Sequence, residues 1–215
     1  MIPRDGTPRG EALRAFLAGA GFSRSAICPL AGDASNRRYY RLADAGAVVM
    51  DAPPEANERM DAFVAVTDWL RSAGLSAPEI RAADLDRGFL LLEDLGDDLF
   101  ARVLEAGRAG EHALYAAAID LLADLAEAAP DLGTPTGIRP YGEAELLREA
   151  RLAVEWWAPG ASGVPFAADA LAEFDALVGE AVAPVAAARE ATVLRDYHAE
   201  NLIWLPERPA AARVG

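Results

Sequence analysis

At 215 residues and 53% hydrophobic content, the chain is long enough to bury a core as one domain or two modest lobes, and its composition excludes a disordered polymer. A formal net charge of -14 excludes a general nucleic-acid or acidic-membrane surface, because a polyanion would meet a repulsive field. The sequence contains no lysine, so all 20 Lys+Arg residues are arginine and any phosphate site has to be a local cluster of guanidinium groups.

The single cysteine, Cys28, allows no internal disulfide, the charged N-terminal residues lead into no apolar signal core, and no uncharged apolar run is long enough to span a bilayer. A soluble, cytoplasmic protein is expected. Thr7-Pro8 ahead of Glu11, Leu13, Phe16 and Leu17 predicts a capped packing helix that stops at Gly19 and Gly21. Residues 32–36 are small and polar and precede a Tyr-rich strand ending at Leu42. The turn Asp44-Ala45-Gly46 and the apolar run from Ala47 to Asp51 then complete a hairpin. The backbone N–H groups of such a loop can approach phosphates, although the same composition also serves ordinary turns.

Pro53-Pro54-Glu55 opens a predicted helix through Ser72, with Met60, Phe63, Val66, Trp69 and Leu70 on a broad apolar face and Glu55 and Glu58 complementing its dipole. Two strands follow, over residues 79–83 and 88–92, and five strands with one large helix make an α+β unit. At Glu93-Asp94-Leu95-Gly96-Asp97-Asp98 the pattern changes from strands to helices. The lobe boundary is therefore expected here, between a β-rich N-terminal lobe (residues 1–95) and a mostly helical C-terminal lobe (residues 96–215). Asp97 and Asp98 are expected to cap a helix through Leu104. A second helix from Glu111 should end at Pro130, a third should cover residues 143–157, and an Ala-rich one after Pro165 should be kinked or interrupted at Pro184. Trp156 and Trp157 read as packing residues.

Near the end of the chain, Asp196 and Asn201 stand five positions apart in a polar loop between two short apolar runs. That spacing suits phosphoryl transfer: the Asp can accept a proton from an attacking hydroxyl, and the Asn can turn back to hold a metal ion on the nucleotide phosphates. As a bare pattern Asp-x-x-x-x-Asn is common by chance. Its position after a small-residue hairpin loop, an acidic hinge and a helical stretch is what gives it weight.

In that order the residues resemble the aminoglycoside phosphotransferase and choline kinase superfamily, which has a protein-kinase-like bilobal fold. Leu194-Arg195-Asp196-Tyr197-His198-Ala199-Glu200-Asn201 is similar to the family's His-Gly-Asp-Leu-His-Pro-Gly-Asn loop at Asp196, His198 and Asn201, and departs from it at Leu194. Residues 32–38 resemble the family's phosphate loop, and Leu91-Leu92-Glu93-Asp94-Leu95 resembles its adenine-holding hinge. Met50-Asp51-Ala52-Pro53-Pro54-Glu55, with the stretch from Asp196 to Pro206, more closely resembles the bacterial anomeric kinases that phosphorylate N-acetylmuramate and N-acetylglucosamine at the C1 hydroxyl during cell-wall recycling.

The resemblance implies an enzyme using ATP and Mg2+ on a small-molecule sugar, with neither nucleic acid nor membrane as partner. Asp196 would be the catalytic base and Asn201 a magnesium ligand. Ser35 and Asn36 would lie under the phosphates, and the backbone around Glu93 and Leu95 would hold adenine. Tyr197, His198 and Glu200 would border the acceptor, His198 alternatively bracing the loop. An aminoglycoside or choline-type kinase and a nucleotide-binding pseudokinase are the alternatives.

Two departures from the family pattern carry expectations of their own. Where the family's third strand brings a Lys to the phosphates, this sequence has Met50 or Asp51. Arg38, opposite Asp51 in a tightly paired hairpin, is expected to supply the charge with Asp51 orienting it, and Arg37 and Arg41 compete for the role. The family's second metal-binding Asp would lie just past Gly215, on a strand that Arg213-Val214-Gly215 begins, so the helical lobe is expected to be truncated and weakly active at best.

Overall fold

Strand β2, Arg38–Leu42, turns through residues 43–46 into β3, Ala47–Asp51, and the two pair antiparallel with Arg38 opposite Asp51 and Leu42 opposite Ala47. The computed structural model describes residues 6–30, 36–56, 59–188 and 191–215, and no side chains over 128–132. With β1, Ile27–Pro29, β4, Ile80–Asp84, and β5, Phe89–Glu93, the hairpin forms a five-stranded antiparallel sheet in the order β1, β2, β3, β5, β4. All five residues of β3 are buried. That explains its unbroken apolar run, since a middle strand covered on both faces has no solvent side toward which to alternate.

Helix α1, Pro8–Gly19, covers one face. Thr7 caps it by accepting the Gly10 N–H at 3.2 Å, and Leu13, Phe16 and Leu17 pack on Tyr40, Leu42 and Val49, with the Phe16 and Phe89 rings stacked at 5.5 Å. Helix α2, Met60–Ser72, covers the other face, with Met60 and Phe63 against Met50, Leu90 and Leu92. It begins later than the sequence pattern predicts. Pro54–Ala56 forms a single 3-10 turn closed by the Ala56 N–H on the Pro53 carbonyl at 2.9 Å, and Pro54 disfavours helical backbone at the Pro53 that precedes it. Asp61 therefore takes the first-turn position assigned to Glu55, and Glu58 lies outside the described residues.

Residues 1–137 and 194–215 make one compact unit, and residues 138–193 a second. In the first, α3, Phe100–Glu105, and α4, Glu111–Leu132, build a core in which Phe100, Val103 and Leu114 meet Trp69 of α2 and Leu202 and Val214 of the last stretch. Asp97 and Asp98 do not cap α3. Their carboxylates accept from Arg41 and Arg108 instead, and Leu99 holds the cap position with no side-chain bond. Helix α4 continues two residues past Pro130. The expected strand from Arg213 to Gly215 does not form: Ala210–Arg213 is a 3-10 turn, and the pairing is limited to an isolated antiparallel bridge between Val214 and Trp204, flanked by Ile203 and Gly215 exchanging N–H to carbonyl bonds at 2.8 and 2.9 Å.

The second unit contains α5, Glu143–Leu152, a π-helical turn over Ala153–Trp157, α6, Ala158–Ser162, and α7, Ala168–Ala187. Arg151 of α5 donates to Asp175 of α7 through Nε at 2.8 Å. Trp156 and Trp157 are 74% and 75% exposed and so do not pack in a core as the sequence pattern predicts; in the widened π turn Val154 takes the inward position. Pro184 does not interrupt α7, which passes through it and ends within a turn. Among the described residues no helix is long and apolar enough to cross a membrane. The α+β reading of the sequence agrees with this architecture.

One ion pair ties α1 to the middle of the sheet. Asp51 is fully buried on the α1 face, and Arg9 donates to its Oδ1 through Nε at 2.9 Å and through Nη2. The same guanidinium donates to the Gly88 carbonyl at 3.2 Å and lies 3.9 Å above the Phe89 ring. Removing one partner of such a pair leaves a buried charge uncompensated, so Arg9→Ala is expected to lower the unfolding free energy by about 3 kcal/mol in urea denaturation. Gly88→Ala should also be strongly destabilising, because φ is +70° there and the added Cβ would lie 1.9 Å from the Ala52 carbonyl oxygen.

Candidate active site

The stretch over residues 194–205 is held largely through its backbone. Ala101 donates to the Ala199 carbonyl at 3.0 Å, Phe100 to Leu202 at 2.9 Å and Trp204 to Asp98 at 2.7 Å, so the start of α3 grips the loop along its length. Within the loop, Tyr197 donates to the Arg195 carbonyl at 2.9 Å and Asn201 to His198 at 2.8 Å. Arg195 adopts φ +60°, the left-handed region that a non-glycine residue occupies at a cost, immediately before Asp196.

Tyr197 anchors the loop from inside. Its hydroxyl donates to the Ala118 carbonyl of α4 at 2.8 Å, and burial pushes its pKa up to about 12. The ring lines the cavity described below, but the hydroxyl is committed to α4 rather than offered to an acceptor. His198 turns back on Asn201, with Nε2 at 3.2 Å from Nδ2, and its Nδ1 lies 3.4 Å from the Glu200 N–H nitrogen. That is the bracing arrangement. Glu200 is exposed, beyond the cavity lining.

Asn201 Nδ2 also donates to the Asp196 backbone carbonyl at 3.0 Å. With the amide nitrogen turned into the loop, its carbonyl oxygen is turned outward, a hard oxygen donor of the kind Mg2+ takes alongside phosphates and water. The residues fit one ligand position. Among the described residues no group of three or more His, Cys, Asp or Glu comes together to hold a metal.

Asp196 and Asn201 both line a cavity of about 500 Å³. Its far wall is the apolar face of α2, with Phe63, Val66 and Leu70; Leu121 and Val214 contribute from the helical core, and Arg37 and Arg59 supply its basic groups. Apart from these groups and Thr67, Ser76 and Tyr197 the lining is apolar, as ligand sites commonly are.

The remaining predicted residues fall elsewhere. Ser35, with most of the small-residue loop, lies outside the described residues, and Asn36 is exposed just before β2. Glu93 and Leu95 do not line the cavity. The Glu93 carboxylate accepts from Arg208 at 2.6 Å and from the Glu79 N–H at 3.2 Å, while Arg208 also donates to Ser76 Oγ at 2.8 Å. Leu95 packs by Gly215. The hinge is thus tied to the last residues of the chain.

The expected Arg38–Asp51 partnership does not form, although the two stand opposite each other as expected. Arg9 occupies Asp51, and Arg38 is hydrogen-bonded to the Tyr40 hydroxyl on the α1 face, away from the face that α2 covers. Alternation along β2 decides this: Arg38 shares a face with Tyr40 and Leu42, and the residue before it points the other way. Arg37 consequently lines the cavity. Arg41 is bound by two hinge carboxylates, to Asp94 Oδ2 at 2.6 Å and Asp97 Oδ2 at 2.5 Å, which raises its pKa and lowers that of Asp97. Sequence reasoning missed Arg59, whose only signal was its place one turn ahead of Phe63.

These features define a phosphotransferase-type loop on an α+β frame, and the chain belongs to the phosphotransferase enzyme family, whose model matches residues 26–211. An N-acetylmuramate/N-acetylglucosamine kinase of Caulobacter vibrioides is 42% identical, over 96% of this chain and 66% of its own length. Another of that name, from Pseudomonas aeruginosa, is 37% identical over 85% of this chain and 53% of its own length. The chain thus spans from about half to about two thirds of the length of these relatives. Among solved structures, that of a streptomycin–ATP–APH(2″)-IIa ternary complex gives a TM-score of 0.46 at 14% identity, over 84% of this chain and 58% of that one.

The Tyr197 anchor has a pH signature. Its folded pKa of about 12 lies above the ordinary value of 10.0, so its contribution to stability is complete below pH 10 and is lost as pH rises toward 12. Tyr197→Phe is expected to cost about 1 kcal/mol at neutral pH and to flatten that alkaline decline, both measurable by urea denaturation from pH 8 to pH 12.

Proposed function

We propose that this chain carries the catalytic loop and nucleotide-facing lobe of an ATP-dependent sugar kinase acting on the C1 hydroxyl of N-acetylmuramate or N-acetylglucosamine. One observation carries the reading: Asp196 and Asn201 are held on a single braced loop and line the same cavity, in a chain 42% identical to a kinase of that name. Residues 1–95 form the nucleotide lobe and residues 96–215 the helical lobe. The small-residue loop with Ser35 and Asn36 meets the phosphates, and the backbone around Glu93 and Leu95 holds adenine. A cytoplasmic setting, where ATP is held, goes with this assignment.

The chemistry is an in-line displacement at phosphorus. The acceptor oxygen forms a bond to the γ-phosphorus as the bond from that phosphorus to the β,γ-bridging oxygen breaks, and ADP leaves. Asp196 orients the acceptor hydroxyl and takes its proton, and the apolar walls exclude competing water. Asn201 offers its carbonyl oxygen to Mg2+, which would neutralise charge on the phosphate oxygens when bound.

ADP release assayed with N-acetylmuramate, N-acetylglucosamine, kanamycin and choline tests the reading. Turnover is expected with the two amino sugars and should fall by at least about a hundredfold in Asp196→Asn, in line with the loss of a positioned general base. A preference for kanamycin or choline, or an Asp196→Asn variant as active as the parent, would refute it.

A further inference from the structure

The cavity that Asp196 and Asn201 line contains two guanidinium groups to which the proposed chemistry assigns no role. Arg37 reaches it from the residue before β2, its guanidinium centre 5.6 Å from the Phe63 ring centroid. Arg59 reaches it from the N-cap of α2, where its carbonyl accepts the Phe63 N–H at 3.1 Å. Two separate elements thus bring positive charge to the same end of α2. We infer that Arg37 and Arg59 form an oxyanion-binding end of this cavity, taking the anionic oxygens of a phosphoryl group or of an acceptor carboxylate. The inference rests on the cavity being the ligand site of the proposed kinase.

The geometry suits such a role. Asp61 grips Arg59 through Nε at 2.8 Å and Nη2 at 2.7 Å, which fixes the plane of the guanidinium and leaves its Nη1 edge for a second oxyanion. Arg59 in turn holds the Asp61 carboxyl down to about 2, so the grip persists through the physiological range. Both side chains are more than half exposed, and a water-screened pair rearranges around an incoming anion more readily than a buried one. Phe63 lies within cation–π range of Arg37 and steadies it against the wall. The neighbouring Val66, Leu70 and Leu121 are apolar and offer no polar side chain to compete for the guanidiniums. In a chain with no lysine and a net charge of -14, a bound anion needs such a local cluster.

Isothermal titration of the protein with inorganic tripolyphosphate, ATP, N-acetylmuramate and N-acetylglucosamine tests this assignment. The wild-type protein should bind at least one of tripolyphosphate and N-acetylmuramate. The Arg37→Ala, Arg59→Ala double variant, checked for folding by circular dichroism, should bind it at least about tenfold more weakly, because charge-assisted bonds to both guanidiniums are gone. The corresponding Lys substitutions should recover part of the loss, since charge returns without the fork, and Gln single variants read the same effect if the double variant does not fold. A loss confined to tripolyphosphate assigns the site to a phosphoryl group. Loss of a preference for N-acetylmuramate over the uncharged N-acetylglucosamine assigns it to a carboxylate. Undiminished anion binding by the double variant, or none by the wild type, overturns the inference. Tripolyphosphate binding without binding of ATP or N-acetylglucosamine would instead count against the sugar-kinase reading and leave the oxyanion site standing.

Discussion

The burial of β3 on both faces is the constraint from which the site's layout follows. Strand alternation leaves no freedom about which residue faces which helix: Met50 turns to α2 and Asp51 to α1. A fully buried carboxylate cannot stand alone, and Arg9 of α1 supplies the partner. Once Asp51 is bound in that way, its carboxylate is no longer available to orient Arg38. Arg37 and Arg59 stand instead in the lining of the cavity that the apolar face of α2 walls.

The loop carrying Asp196 and Asn201 is built on a complementary division of labour between backbone and side chain. Main-chain bonds to α3 and to the last residues, with the Tyr197 hydroxyl on α4, satisfy the loop's interior polar groups. The left-handed Arg195 is held by its carbonyl, which accepts the Tyr197 N–H, and by Leu194 before it, which packs on the helical core. What remains unconstrained by the fold is the Asp196 carboxylate and the carbonyl side of the Asn201 amide. A loop that left its own backbone unsatisfied would turn these groups inward to repair it.

Much of this was legible in the sequence because the relevant signals are local and periodic. The capped α1, the hairpin of β2 and β3, the change of texture at Glu93 and the Asp196–Asn201 spacing each depend on residues close in the chain. The failures share the opposite character. Asp97 and Asp98 look like caps until Arg41 and Arg108, from distant positions, take their carboxylates. Arg38 looks well placed opposite Asp51 until Arg9, 42 residues away from it, fills the same site. The Trp156–Trp157 pair looks like core from composition, but a π turn decides which residue points inward, and no propensity encodes that register change. Long-range competition for a shared partner is invisible to a reading that takes each residue with its neighbours.

That competition also separates the arginines by chemistry. With 34 acidic residues against 20 arginines, a guanidinium is readily taken up by carboxylates of its own chain. Arg41 shows the outcome: two hinge carboxylates bind it from both edges, it is only 24% exposed, and Asp97 is held ionised by it. Extracting such a group for a ligand would strand two carboxylates, one of them largely buried. Arg208 is similarly enclosed by Glu93 and Ser76. Arg59 differs in having one exposed partner on one edge, so a ligand oxyanion can add to the second edge without displacing the first. An arginine suits an incoming anion here not through proximity alone but through the edge its own salt bridge leaves open.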